Sequence, residues 1–239
     1  MRLAKLQSSQ ILQLILFISM CYFAGCGTKE TKNEVDLKDL NRRMLANIDQ
    51  SVSNAVRMVE KKLLMGANAN AADTNGVPAI VHASESTEDV RFGLAKLLID
   101  HGADINAANR QGETALKHFC MRADTACLNL VLANNVNVTV VDSFGYTPLL
   151  LLTMQVSAYN KQMEEKGSDK HNQLFWNTPL ARIAAEDYNL PYIKEFLKRG
   201  ADPHHKSKDG ESAYSIAREY DLNLIREAIE QHLQKDNKQ

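Results

Sequence analysis

The residues able to do chemistry are few, and their spacing suits it poorly. The chain holds four cysteines, Cys21, Cys26, Cys120 and Cys127, and a His204-His205 pair near Asp202. Neighbouring side chains of an extended segment point to opposite faces, so the two histidines cannot easily share one metal ion, and the segment reads as solvated. An oxidising compartment permits a disulfide between Cys120 and Cys127 where their Cα atoms lie within about 7 Å. The alternative is that both are small buried hydrophobes, a common use of cysteine. No Gly-rich phosphate loop, Gly-x-Ser-x-Gly, His-Glu-x-x-His or Cys-x-x-Cys occurs. The pattern points away from an enzyme and calls for neither metal nor cofactor. With 28 basic and 29 acidic residues the net charge is −1, and there is no basic stripe of the kind a nucleic-acid footprint needs.

The elements that would position any site come from a phrase that returns. Ala95 to Asn106 reads as the end of an amphipathic helix with Leu97-Leu98 on its buried face. A glycine stop follows at Gly102, where a left-handed residue is wanted. Asp104 to Gly112 is turn chemistry, and Thr114 caps a new helix. Ile193 to Asp202 and Leu128 to Asn135 repeat the phrase. Helix starts recur at Pro78, Thr114, Thr147, Thr178 and Ser212, with spacings of 36, 33, 31 and 34. This resembles the ankyrin repeat, whose period is about 33 residues with a Thr-Pro-Leu helix start. The resemblance implies an all-α solenoid of helix-turn-helix units with short β-hairpin tips on one edge. The histidine that follows Thr-Pro-Leu in that family is absent; Val81, Lys117, Leu150, Ala181 and Ser215 stand there. Cys120 and Cys127 fall where the family pattern has Ala and Val.

The N-terminus reads as an export signal over residues 1–25, from Arg2 and Lys5 and an apolar run from Ile11 to Gly25. That run is short for a membrane-spanning helix, which needs about 20 residues. Phe23-Ala24-Gly25-Cys26 resembles the bacterial lipobox, which implies cleavage before Cys26 and lipidation of its thiol. Phe23 departs from the usual Leu. Gly27 is not the Asp of inner-membrane retention, which implies the outer membrane, facing the periplasm. Residues 26–35 read as a lipidated end and a flexible tether.

Residues 36–234 then make about six units including caps, and 235–239 form a tail. The first unit is two helices, Asp36–Asp49 and Val52–Met65, with no hairpin before them. The fourth unit, 142–172, is degenerate. Leu149 to Leu152 are apolar on every side, and no Leu-Leu-x-x-Gly-Ala phrase follows. A lengthened helix to about Glu165 and a loop around 167–172 are expected. Pro191 reads as the start of the second helix of the fifth unit.

The resemblance places partner contacts on the tips and the inner helix face. The candidates are Asn75, Arg110, Gln111, Phe144, Tyr146, Phe175, Trp176 and Lys208. Aromatic residues are enriched at binding hot spots. They also serve tip-to-tip packing, and both uses stay open here. The expected function is a non-enzymatic protein-binding module: a lipid-anchored monomer binding another envelope protein or an incoming toxin, as an immunity protein does. The alternative is a periplasmic redox factor acting through Cys120 and Cys127.

Overall fold

The computed structural model describes the backbone of residues 37–49, 54–167 and 179–236, and side chains within 39–48, 54–158 and 185–235. Cys26, Phe175 and Trp176 lie outside the described residues, as do the export signal and the tether. Ten helices are described. They are α1 (Leu37–Asp49), α2 (Ala55–Leu64), α3 (Ala79–Glu85), α4 (Glu88–Asp100) and α5 (Ala115–Met121). Then follow α6 (Thr125–Leu132), α7 (Pro148–Gly167), α8 (Pro179–Lys198), α9 (Ala213–Glu219) and α10 (Asn223–Asp236).

Local chemistry sets the ends of these helices. Thr114 Oγ1 accepts the Lys117 N–H, and Thr147 Oγ1 accepts that of Leu150. Ser212 and Ser215 cap each other reciprocally at α9. The stops at Gly66, Gly102 and Gly200 all have positive φ, and Asn135 takes the same conformation with φ 57°. The chain then turns back: the Ala103 N–H reaches Leu98 O, and the Ala201 N–H reaches Phe196 O, at 2.9 and 3.0 Å.

The helices stack in two rows. The first row runs α1, α3, α5, α7, α9; the second runs α2, α4, α6, α8, α10. Phe119, Phe196, Met44, Ile80, Leu98 and Leu128 are fully buried between the rows. Leu149, Leu150 and Leu152 are fully buried too, because α5, α8 and α9 surround α7.

The β-hairpin tip needs correction: no β-strand occurs among the described residues, which hold only isolated antiparallel bridges, Ala72 to Pro78 and Ala108 to Thr114. Each turn closes within five residues, which leaves one bridging position on each side and no room for a ladder. The described helices stack as five pairs. The first part of α7 sits in the first row between α5 and α9. The last part of α8 sits in the second row, where Arg199 Nη2 donates to Leu132 O at 2.9 Å. The first part of α7 and the last part of α8 therefore pair as one repeat. Pro191 lies inside α8 rather than at its start.

Candidate functional site

Four turns precede first-row helices, and one side chain closes each of the first three. Asp73 Oδ1 accepts the N–H groups of Asn75 and Val77, both at 2.8 Å. Asn109 Oδ1 accepts those of Gln111 and Glu113, and Asp142 Oδ1 those of Phe144 and Tyr146. Such Asx turns are what Asp and Asn do best. The fourth turn has Ser207 instead, whose buried Oγ has no hydrogen-bond partner among the described residues.

Neighbouring turns are fastened edge to edge. The Ser143 N–H donates to Gln111 O at 2.7 Å, and the Lys208 N–H to Phe144 O at 2.9 Å. Gly145, at φ 84°, packs so closely on Ser207 that a Cβ there would lie 3.0 Å from the Ser207 Cα. Among the described turns the row passes from Asp142–Tyr146 to Ser207–Glu211. Lys117 stands where the family has its histidine. Its Nζ donates to Glu113 Oε1 at 2.7 Å and Asp142 Oδ2 at 2.6 Å, tying the second turn to the third.

This row brings five of the candidate residues onto one edge. Asn75, Arg110, Gln111, Phe144 and Lys208 are exposed, Phe144 by 52 %. The Arg110 side chain lies over Gly76. Tyr146 packs on the core and donates its hydroxyl to Asp209 Oδ2 at 2.6 Å. The Asp209 carboxylate pushes that phenol up to about 12. Tyr146 therefore serves the joint between turns.

The opposite edge, where first-row helices pass into second-row helices, holds charges that sequence reasoning missed. Arg91 is buried and spans two repeats. Its Nη1 donates to Asp124 Oδ2 at 2.8 Å, and its Nε and Nη2 both donate to Ser86 O. Burial opposes ionisation of Asp124, but Arg91 and the Cys127 N–H outweigh it, so the carboxyl is held below its ordinary range. His118 is buried beside them, its Nε2 3.4 Å from Glu85 Oε1 and without hydrogen-bond geometry. Burial pulls it down from 6.5 to about 4. Glu186 of α8, also buried, accepts the N–H groups of Leu224 and Ile225 at the start of α10.

Thiol chemistry finds no support. Cys120 and Cys127 are free and fully buried. Burial raises both thiols, Cys127 to about 12, the reverse of a reactive thiolate. Asp202 is used in its own turn, accepting the His204 N–H, and the His204 ring packs edge-on against Tyr214. Among the described residues no cluster of three His, Cys, Asp or Glu could hold a metal ion, and no helix is long and apolar enough to cross a membrane.

The family model for ankyrin repeats (many copies) matches residues 82–132, which span α4, α5 and α6. The ankyrin repeat protein YahD of Escherichia coli (strain K12) is 28 % identical over 175 residues, covering 67 % of this chain and 82 % of YahD. A mitochondrial disaggregase of Bos taurus is 26 % identical over 59 % of this chain but 22 % of its own length. The tyrosine-protein kinase Shark of Drosophila melanogaster is 26 % identical over 65 % of this chain and 17 % of its own. Ankyrin-repeat scaffolds are characteristically non-catalytic. In its paired helices, its side-chain-closed turns and these matches, the chain is similar to ankyrin-repeat proteins.

Proposed function

We propose that this chain is a protein-binding module that presents its row of turns to another protein of a bacterial envelope, or to an incoming toxin. The observation that carries the reading is the fastening of the turns by backbone bonds, Ser143 to Gln111 and Lys208 to Phe144. A surface held in this way loses little conformational freedom on binding, so more of the contact energy is available for affinity. Phe144 is the apolar anchor at its centre, with Arg110, Gln111 and Lys208 around it.

Location is the second half of the proposal. Residues 1–25 serve as the signal, Cys26 carries lipid, and the repeats face the periplasm from the outer membrane. Acyl chains contribute about 0.8 kcal/mol per buried CH₂, so several chains hold the protein stably. Fatty-acid labelling of cells is expected to mark the wild type and spare Cys26→Ser; labelling of both removes the anchor.

The binding test is affinity capture from gently solubilised envelopes, with wild type beside a Phe144→Ala, Trp176→Ala variant of unchanged helicity. A protein held by wild type and lost from the variant supports the turn surface. The same proteins on both move the site away from the turns.

A further inference from the structure

The two ends of the stack differ in the sign of their charge. Residues 37–66, the first pair, hold six basic and three acidic residues, whereas residues 67–239 hold 18 and 23. The last pair, α9 and α10, carries three basic and five acidic residues over 213–236. A capping repeat needs a polar outer face, but capping calls for no particular sign.

The positive excess lies on the outer flank of α2. Counted back from the stops at Gly66, Gly102 and Asn135, Lys61-Lys62 stand where α4 has Leu97-Leu98 and α6 has Leu130-Val131. Leu98 and Val131 are fully buried, and Leu97 and Leu130 pack on the core. Lys61 is exposed instead, and Lys62 is half-buried. Arg57 holds the position of Gly93, where a Cβ would lie 3.0 Å from Val56 Cγ2, so this flank of a second-row helix faces the helix before it. No second-row helix precedes α2 among the described residues, and Arg57 is exposed. Arg42 and Arg43 of α1 both pair with Asp39, whereas Arg57, Lys61 and Lys62 form no ion pair among the described residues. Arg57, Lys61 and Leu64 follow at i, i+4 and i+7 and so share one face. Leu64 is 75 % exposed, more than any other large apolar side chain described, and Met65 beside it is exposed too. One acid, Glu60, lies among them.

We propose that this end of the stack docks on a membrane surface bearing anionic phospholipid headgroups. Arg57, Lys61 and Lys62 meet the phosphates, and Leu64 and Met65 enter the boundary between headgroups and acyl chains. Cations beside bared aliphatic side chains are what separates a lipid-seeking face from a merely solvated one. Each Lys or Arg near an anionic layer strengthens binding by about fivefold. Docking needs no acyl chain, although on the lipidation reading above only ten residues, at most about 35 Å of chain, separate Cys26 from α1.

The test uses the full chain with Cys26→Ser, so that no acyl chain contributes and a failure here is distinct from a failure of lipidation. Its sedimentation with vesicles of phosphatidylcholine is compared with that on vesicles containing phosphatidylglycerol as well. A preference of about tenfold or more for the anionic vesicles is expected. Adding Arg57→Glu, Lys61→Glu, Lys62→Glu is expected to remove most of that preference. Adding Lys194→Glu, Lys198→Glu, Lys206→Glu makes the same change of net charge at exposed sites elsewhere and is expected to keep it. Arg2 and Lys5 are common to every variant, so the difference between the two triples reads the face itself. Leu64→Ser, Met65→Ser is expected to weaken binding about threefold or more with unchanged helicity. Equal binding to both kinds of vesicle, or equal losses in the two triples, overturns the proposal. Self-association that the first triple abolishes, with no preference for anionic vesicles, gives the face to a second copy and overturns it too.

Discussion

Between the second and third repeats, and again between the third and the split fourth, the chain solves one joining problem in two ways. In the regular joint Asn106 Oδ1 accepts the Asn137 N–H at 2.7 Å, just as Asn70 Oδ1 accepts that of Asp104 one repeat earlier. In the joint to the split fourth Thr139 replaces the asparagine, and its hydroxyl turns back to Asn137 Oδ1. Arg199 reaching Leu132 O, and Tyr188 and Tyr192 meeting Thr125, fasten that joint instead. The regular joint uses short side chains whose placement follows from the repeat itself. The altered joint uses long side chains that reach over from α8. A stack can thus continue wherever the second-row helix meets its neighbour, without preserving the bonds of the regular joint.

The sharpest way to break the regular half is Arg91→Ala. It leaves the partly buried Asp124 carboxylate and the buried Ser86 O without their partner, at an expected cost of about 3 kcal/mol in urea unfolding. Arg199→Ala removes a more exposed donor and is expected to cost about 1 kcal/mol. Equal losses would mean that the two joints carry the same load.

Acid should reach the regular half first. His118 titrates near 4 in the fold against 6.5 as a free side chain, so the unfolded chain binds the extra proton. Its contribution is complete above pH 6.5 and is lost as pH falls towards 4. Between pH 6.5 and 4.5 about 2–3 kcal/mol should go, and His118→Phe should flatten that slope. Asp124, whose carboxyl is depressed, gives way at still lower pH.

Two smaller changes exchange the character of the joints. Asn106→Ala is expected to cost about 1 kcal/mol, and Thr139→Asn to gain a similar amount by offering the Asp202 N–H the acceptor that its counterparts have. A Thr139→Asn protein no more stable than wild type would show that the two repeats lie too far apart for that bond. In the fourth turn, Ser207→Asp should accept the N–H groups of Asp209 and Glu211 as Asp142 does for its own turn. The expected gain is about 0.5–1 kcal/mol, read as a higher melting temperature.

What the sequence revealed and what it concealed divide along physical lines. Gly102, Gly200 and Thr114 mark helix ends by local chemistry, and the chain obeys them. Leu149 to Leu152 announce deep burial because no face of that helix is polar. The helix start read at Pro191 misleads because a proline at the first turn of a helix and one inside a long helix look alike in sequence, and here Pro179–Lys198 runs unbroken through it. The turn surface is legible in Asp-x-x-Gly and Asn-x-x-Gly. Arg91 and His118 are not, since a charge on a helix reads as solvated until the neighbouring repeat covers it. Asp124, which does so for Arg91, lies 33 residues further on.

The split repeat also sets an order of assembly. Two residues join α3 to α4 and three join α5 to α6, so those pairs can close as soon as they exist. The halves of the fourth pair meet only after the chain has run out along α7 and back along α8. A flexible connection ten times longer costs about 2 kcal/mol more to close. In the last pair α9 can rest on α7, but α10 has no second-row neighbour until that closure is made. Contacts distant in sequence form slowly, so the N-terminal pairs should stand first, and the return of α8 should set the pace for the rest.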